Sequence, residues 1–407
     1  MKSLLCLLLT VFGSHAALSA QPAPQPAPNP DQAALVQSDN AFATDLYGQL
    51  RQAGGNLFFS PASISTAFAM AYAGARGQTA TEMAAALHFT LPPDRLHPAM
   101  GALLANFNAA NQNYELRLAD ALWAENNEKF LPAFLNLTKT NYSAGFHPID
   151  FKTAPDAARA TINQWVAQQT DNKITNLLGP GSVTPGTRLV LTNAIYFKGL
   201  WSQPFLASNT RALPFHVSAS QSVQAPLMVQ SGEFTYFDGG TFQALELPYT
   251  GAQLSMVVFL PKDIAGLPAL EQSFTAANAQ EWLAQLQHSE KVNVTFPKFT
   301  VTSQFELNSA LTALGMKQAF EQSAADFSGM TGGRDLFISA AVHKAYISVD
   351  EQGTEAAAAT GFTMLATAMQ HEPPPIVFTA DHPFLFLIRN NRSGGILFMG
   401  RVTDPTK

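Results

Sequence analysis

One cysteine occurs in the 407 residues, Cys6, and it sits in an apolar N-terminal stretch. An intrachain disulfide and a thiolate zinc site are therefore excluded, and stability has to come from packing. Charge is scarce as well: 13% of residues are Asp, Glu, Lys or Arg, with a formal net charge of −6. The basic residues are scattered and form no Lys/Arg block, so neither nucleic acid nor an anionic membrane is expected as a partner. Beyond the N-terminus no run reaches the roughly 18 unbroken apolar residues of a spanning helix. There is no internal repeat, no P-loop, no G-x-G-x-x-G, no G-x-S-x-G elbow and no H-E-x-x-H. "HEPPP" at His371 has no second ligand at helical spacing, and the other histidines are dispersed. The chain is expected to be no enzyme and to hold no metal or cofactor.

What is present begins with "MKSLLCLLLTVFGSHAALSA". Lys2, the apolar run Leu4 to Phe12 and the small residues around Ala16 and Ala20 read as a secretory signal over residues 1–20. "QPAPQPAPNPD" follows, and residues 21–34 are expected to form an extended, disordered Pro-rich spacer. Composition is steady from there on, so residues 35–407 are expected to be one domain. The first part reads as helical. Ser60-Pro61 is an N-cap with a first-turn proline, and Gly74 and Gly77 close that helix. Thr79 and Glu82 have capping-box spacing for a second helix, and "DAARATINQWVAQQT" is a third. The later part reads as strands: "RLVLTNAIYFKGLW", "FQALELPY", "QLSMVVFLP" and "KVNVTFPKFTV", with a hairpin about Thr250-Gly251. "ELNSALTALGMKQAF" returns to helix, and "FLFLIRNNRSGGILFMGRV" is two buried strands about a turn. The pattern predicts an α+β fold.

Four strings in order, "NLFFSPASISTAFAMAYAGARGQT", "LVLTNAIYFKGLWSQPF", "VHKAYISVDEQGTEAAAAT" and "FTADHPFLFLIRNNRSGGILFMGRV", resemble the serpins, inhibitory members of the alpha-1-antitrypsin type in particular. The likeness spans residues 35–405. The signal, the spacer and the cysteine-free body give it the look of a bacterial secreted member. The resemblance implies three β-sheets, about nine helices and a metastable native state with an exposed reactive-centre loop, here about residues 351–375. It also implies the mechanism of a suicide substrate. A serine protease cuts the loop and becomes acyl-linked to it. The loop then enters the main sheet as an extra strand and traps the acyl-enzyme.

An inserting strand puts alternate side chains into the body of the protein. Thr354, Ala356, Ala358, Thr360 and Phe362 would share that face, and the first four are small and uncharged. Glu355, Ala357 and Ala359 fall on the other face, and Gly353 gives the backbone freedom to pivot. No proline lies between Gly353 and Met369, so each inserted residue can donate to a ladder. The resemblance further assigns Ser60, Ser63, Asn193 and His343 to a polar cluster beneath the opening sheet. It places Trp201 at the top of that sheet and pairs Glu351 with Lys298 at the hinge. The alternative is a non-inhibitory serpin used as a binding or chaperone module, which usually carries bulky, charged or proline residues in this stretch.

Family members are usually cut at the seventeenth residue counting Glu351 as the first, which gives Thr367–Ala368, with Met364, Ala366 and Met369 as neighbouring alternatives. No Lys or Arg lies between Lys344 and Arg389, which disfavours trypsin-like targets and points to elastase-like or subtilisin-like serine proteases. Residues 78–129 contain only Arg95, Arg117 and Lys129 as basic groups, so no heparin-type cofactor is expected. The expectation is a secreted monomer, extracellular or periplasmic, whose partner is the target protease in a covalent acyl complex.

Overall fold

The computed structural model describes residues 29–108, 112–142, 145–354 and 374–407. The N-terminal signal lies outside them. The expected spacer gives way to helix at its C-terminal end: α1 spans Pro30–Leu50, with Asn29 accepting from the Asp31 amide and Pro30 at the first helical position. That proline belongs to a helix start because its fixed φ suits the first turn and its missing N–H would have no partner there. α2 (Pro61–Tyr72) starts as the sequence predicts, with Ser60 Oγ accepting from Ser63 N at 3.2 Å. α3 spans Gly77–Ala86, α4 Pro93–Asn108, α5 Pro132–Asn141 and α6 Pro155–Gln169. Four short helices follow, making ten among the described residues.

The capping box at Thr79 is a misreading. α3 begins two residues earlier, at Gly77, and carries no side-chain cap. The two side chains serve tertiary contacts instead: Thr79 Oγ1 accepts from Asp326 N, and Glu82 accepts from the Lys317 and Gln318 amides.

The strands are β1 Leu57–Phe59, β2 Tyr114–Glu125, β3 Phe146–Ile149, β4 Leu189–Leu200, β5 Arg211–Ser218, β6 Gln221–Asp238, β7 Phe242–Pro248 and β8 Leu254–Pro261. β9 Gln287–Pro297, β10 Phe299–Glu306, β11 Ile338–Asp350, β12 Gly353–Thr354, β13 Ile376–Thr379, β14 Phe384–Asn390 and β15 Ile396–Val402 complete them. "KVNVTFPKFTV" is thus two strands, broken at Lys298 and sent to different sheets. "ELNSALTALGMKQAF" is α-helical only over Leu307–Ala313; its chain turns at Gly315 with φ 103° and ends in a 3-10 turn over Gln318–Phe320. The hairpin at Thr250-Gly251 and the terminal pair β14/β15 form as read.

Two hydrogen-bonded sheets result where three are expected. β6 accounts for the difference. Its first half pairs with β5 and its last residues with β7, while β9 runs along both halves with a register shift between Gly232 and Phe234. Two sheets are therefore joined into one of nine strands. The other sheet has the order β10-β11-β12-β4-β2-β3. It is covered on both faces. α2 lies beneath it with Ile64, Ala67 and Phe68 buried, while Ile162 and Val166 of α6 pack with Trp123 and Val190 on the other side. Burial on two faces explains why β4 reads as an almost unbroken apolar run.

Candidate functional site

The six-stranded sheet has an irregular seam. β11 and β4 are parallel neighbours from Ile338↔Leu189 to Tyr346↔Tyr196. Above that they diverge, and the two-residue β12 lies between them, antiparallel to both: Thr354 pairs with Val349 and with Gly199.

A tight turn brings the chain back from β11 into β12. Asp350 Oδ1 accepts from Gln352 N at 2.9 Å and from Gly353 N at 3.3 Å. The turn's carbonyls are held by the segment after β4: Trp201 N donates to Gln352 O and Phe205 N to Glu351 O, each at 2.8 Å, and Trp201 Nε1 donates to Asp350 O at 3.1 Å. Trp201 itself stacks on Tyr249, with ring centroids 4.7 Å apart. Glycine is required at 353 because a Cβ there would meet the Gly199 carbonyl oxygen at 2.1 Å. Thr354 is fully buried, and its hydroxyl meets Tyr249 Oη at 2.8 Å.

Glu351 and Lys298 come together as the resemblance implies, with Nζ to Oε2 at 2.8 Å. Thr210 Oγ1 adds a second donor to the carboxylate at 2.7 Å. Burial works against the charge on Glu351, but the hydrogen bonds from Lys298 and Thr210 outweigh it and leave the carboxyl below its ordinary range.

Six residues down β4 from Gly199, about 20 Å along the strand, the polar cluster bridges the same seam. Asn193 and His343 are register partners on β4 and β11, and His343 Nδ1 bonds Asn193 Oδ1. Ser60 N donates to His343 Nε2 at 3.2 Å, and Ser60 Oγ donates to Leu397 O at 2.7 Å. With Nε2 accepting, Nδ1 carries the proton. Burial lowers His343 to about 3, so the ring is neutral. Asn193 Nδ2 donates to Ser63 Oγ at 2.7 Å. All four expected residues therefore meet.

Asp120 of β2 is the member that sequence reasoning missed. Its carboxylate accepts from Ser63 Oγ at 2.9 and 3.2 Å and from Asn193 Nδ2 at 2.6 Å. The signal was in "LADALWA", where one acidic residue interrupts an apolar run. Thr210 and Tyr249 were missed too, and nothing in their local sequence marks them.

Glu355, Ala356, Ala357, Ala358, Ala359, Thr360 and Phe362 lie outside the described residues, as do Met364, Ala366, Thr367, Ala368 and Met369. Among the described residues no group of three or more His, Cys, Asp or Glu side chains is placed to hold a metal, and no helix is long and apolar enough to cross a membrane.

An α+β body with a two-residue strand seated between β4 and β11 and a polar cluster further down the same seam defines a class, and the comparisons specify it. A family model described as serpin (serine protease inhibitor) matches residues 37–405. The human leukocyte elastase inhibitor is 43% identical over 382 residues, covering 91% of this chain and 99% of that protein. Uncleaved ovalbumin is similar in structure, with a TM-score of 0.82, 32% identity, and coverage of 91% of this chain and 100% of that one. Serpin48 of the insect Tenebrio molitor, described as a highly specific serpin, has a TM-score of 0.81 and 34% identity over 91% of this chain and 98% of its own. The chain belongs to the serpin family, has the serpin fold and is a protease inhibitor rather than an enzyme.

Proposed function

We propose that this serpin inhibits elastase-like serine proteases as a suicide substrate, trapping the acyl-enzyme by inserting its cut loop between β4 and β11. The observation that carries this reading is β12. Its two residues already pair antiparallel with both strands of the seam, in the position and direction of a new strand. Extending that register one residue at a time sets Thr360 opposite both Asn193 and His343. It sets Met364 opposite Leu189, where β4 begins. A cut at Thr367–Ala368 would leave three residues beyond that last pair as the tether to the enzyme. The neighbouring bonds at Met364, Ala366 and Met369 give shorter or longer tethers.

The register also gives the composition of "GTEAAAAT" a reason. Thr354, Ala356, Ala358 and Thr360 continue the buried face of Thr354, and Thr360 would bring a hydroxyl to the Asn193–His343 pair that it separates. Glu355 would fall on the opposite face. The sheet-opening role of Ser60, Ser63, Asn193, His343, Trp201 and Lys298, and the hinge role of residues 351–360, belong to this reading. So do secretion through the 1–20 signal, a single domain over 35–407, a monomeric inhibitor and independence of heparin.

Target choice rests on the loop's missing basic residues and on the relative named as a leukocyte elastase inhibitor. Mixing the protein with pancreatic elastase, with subtilisin and with trypsin tests this. A complex that survives SDS is expected with an elastase-like or subtilisin-like enzyme and not with trypsin, and the released C-terminal fragment should begin at Ala368. Cleavage of the loop by every enzyme with no stable complex would reject the trap.

A further inference from the structure

An inserting strand made of Ala356, Ala357, Ala358 and Ala359 has a register problem, because these residues are identical and can slip along the seam at little cost in side-chain fit. A slip of one residue turns every side chain to the other face. A slip of two keeps the faces but misplaces everything that follows. The pairing has to be fixed at the start of the strand, and the only charged residue between Gly353 and Thr360 is Glu355. β12 sets where Glu355 would fall. Gly353 pairs with Leu200 and Thr354 with Gly199, so the next step along β4 is Lys198. On the β11 side the step after Thr354↔Val349 is Ser348. Register partners on neighbouring strands project to the same face, with Cβ atoms about 5 Å apart. Thr354 lies on the buried face, so Glu355 and Lys198 share the opposite one, where Lys198 is half-buried.

Lys198 has no counter-ion of its own. Its partner in the β2–β4 ladder is Glu115, but Arg117 binds that carboxylate, Nε to Oε1 at 2.6 Å, and also reaches Asp171 at 3.2 Å. Among the described residues Lys198 makes neither an ion pair nor a side-chain hydrogen bond. The neighbouring lysines are engaged: Lys344 Nζ donates to Thr175 O at 3.0 Å, and Lys173 lies 5.9 Å from the centre of the Tyr196 ring. Slipped pairings offer Glu355 no cation. A slip of one would set it against Phe197 or Gly199 of β4, and a slip of two against Tyr196 or Leu200.

We propose that Lys198 is a positioning residue for the trap: it takes the carboxylate of Glu355 as the first new residue enters the seam, and this cross-strand ion pair fixes the register of the alanines behind it. The contribution is kinetic. A strand that enters out of register stalls, and a stalled strand leaves time for the acyl-enzyme to hydrolyse. Loss of the pair therefore reads as substrate behaviour, with more inhibitor cleaved for each enzyme trapped. This inference rests on the insertion reading.

A charge swap in the full chain separates the two. The variants are titrated against pancreatic elastase and subtilisin, and complex and cleaved inhibitor are quantified on SDS gels. Lys198→Glu and Glu355→Lys each set like charges opposite one another, and the stoichiometry of inhibition is expected to rise about threefold in each. The double variant restores opposite charges in reversed order and should return to within about 1.5-fold of wild type, a rescue that a merely structural role for Lys198 does not give. Single variants at the wild-type value, or a double variant no better than the singles, overturn the pair while leaving insertion standing. No SDS-stable complex of wild type with either enzyme overturns insertion and the pair with it. Should Lys198→Glu fail to fold, Glu355→Lys alone decides. Its excess over wild type should fade as salt is raised to about 1 M, where charges are screened beyond about 3 Å, and an excess that salt does not change contradicts the proposal.

Discussion

At the scale of single residues, the proposed insertion depends on small side chains at the hinge. Thr354 has no exposed surface and one hydroxyl partner, Tyr249. An arginine there would have to bury an unpaired charge, at a cost of several kcal/mol. Thr354→Arg is expected to turn the inhibitor into a substrate, with its stoichiometry of inhibition rising about tenfold or more, a shift of ~1.4 kcal/mol in the partition between trapping and release. Titration against elastase measures this, and unchanged stoichiometry would contradict the buried-face argument. Gly353→Ala should act on the same step, because its methyl group meets the Gly199 carbonyl. Asp39, on α1, governs a different property. It is fully buried, its Oδ1 has no hydrogen-bond partner, and burial raises it from 3.8 to about 7, opposed by Ser65. The folded protein therefore holds this proton through a window in which the unfolded chain has lost it. Stability should fall as pH rises from about 4 to about 7 and level off above that. Asp39→Asn should flatten that part of the urea-midpoint profile, and an unaltered slope would rule out Asp39 as its source. Asp39 could not be identified as buried from the sequence, because burial of a carboxyl depends on which helix or strand covers it.

At the scale of elements, the proposed mechanism requires the seam between β4 and β11 to move. The cysteine-free body allows a direct test. Ala194 and Lys344 are register partners across the seam, and the Lys344 ammonium reaches outward to Thr175 O. Cysteines at both positions should form a disulfide that pins the strands. Inhibition should be lost when the bond is oxidised and return on reduction, whereas inhibition that persists with the bond closed would exclude this seam as the entry site. Much at this scale was legible beforehand. β14 and β15 are continuous apolar runs because both faces are covered, and Ser60-Pro61 starts α2 because the cap is local. What misled was pattern without context. Thr79 and Glu82 have capping spacing, but residues 317, 318 and 326 claim their side chains. "KVNVTFPKFTV" has the composition of one strand, but Lys298 breaks it so that each half can join a different sheet, and its ammonium then meets Glu351. The four-residue polar cluster was found through resemblance and not through periodicity. Its members are separated by as much as 283 residues, from Ser60 to His343, and no local pattern links them.

At the scale of the whole molecule, the proposed mechanism requires a native sheet that is not the most stable arrangement of this chain. β4 and β11 pair directly from Ile338↔Leu189 to Tyr346↔Tyr196, and β12 lies between them above that. Cutting the loop would free the remaining residues to complete the strand, exchanging the β4–β11 ladder for two new ones. The measurement that tests this most directly is the melting temperature of the protein before and after cleavage between Gly353 and Ala368 by a protease that it does not trap. A large rise on cleavage, of the order of tens of degrees, is the expected result, since a shift of only about 4 °C corresponds to ~1 kcal/mol in a small domain. An unchanged melting temperature would mean that the loop does not enter the sheet, and the inhibitory account would fail.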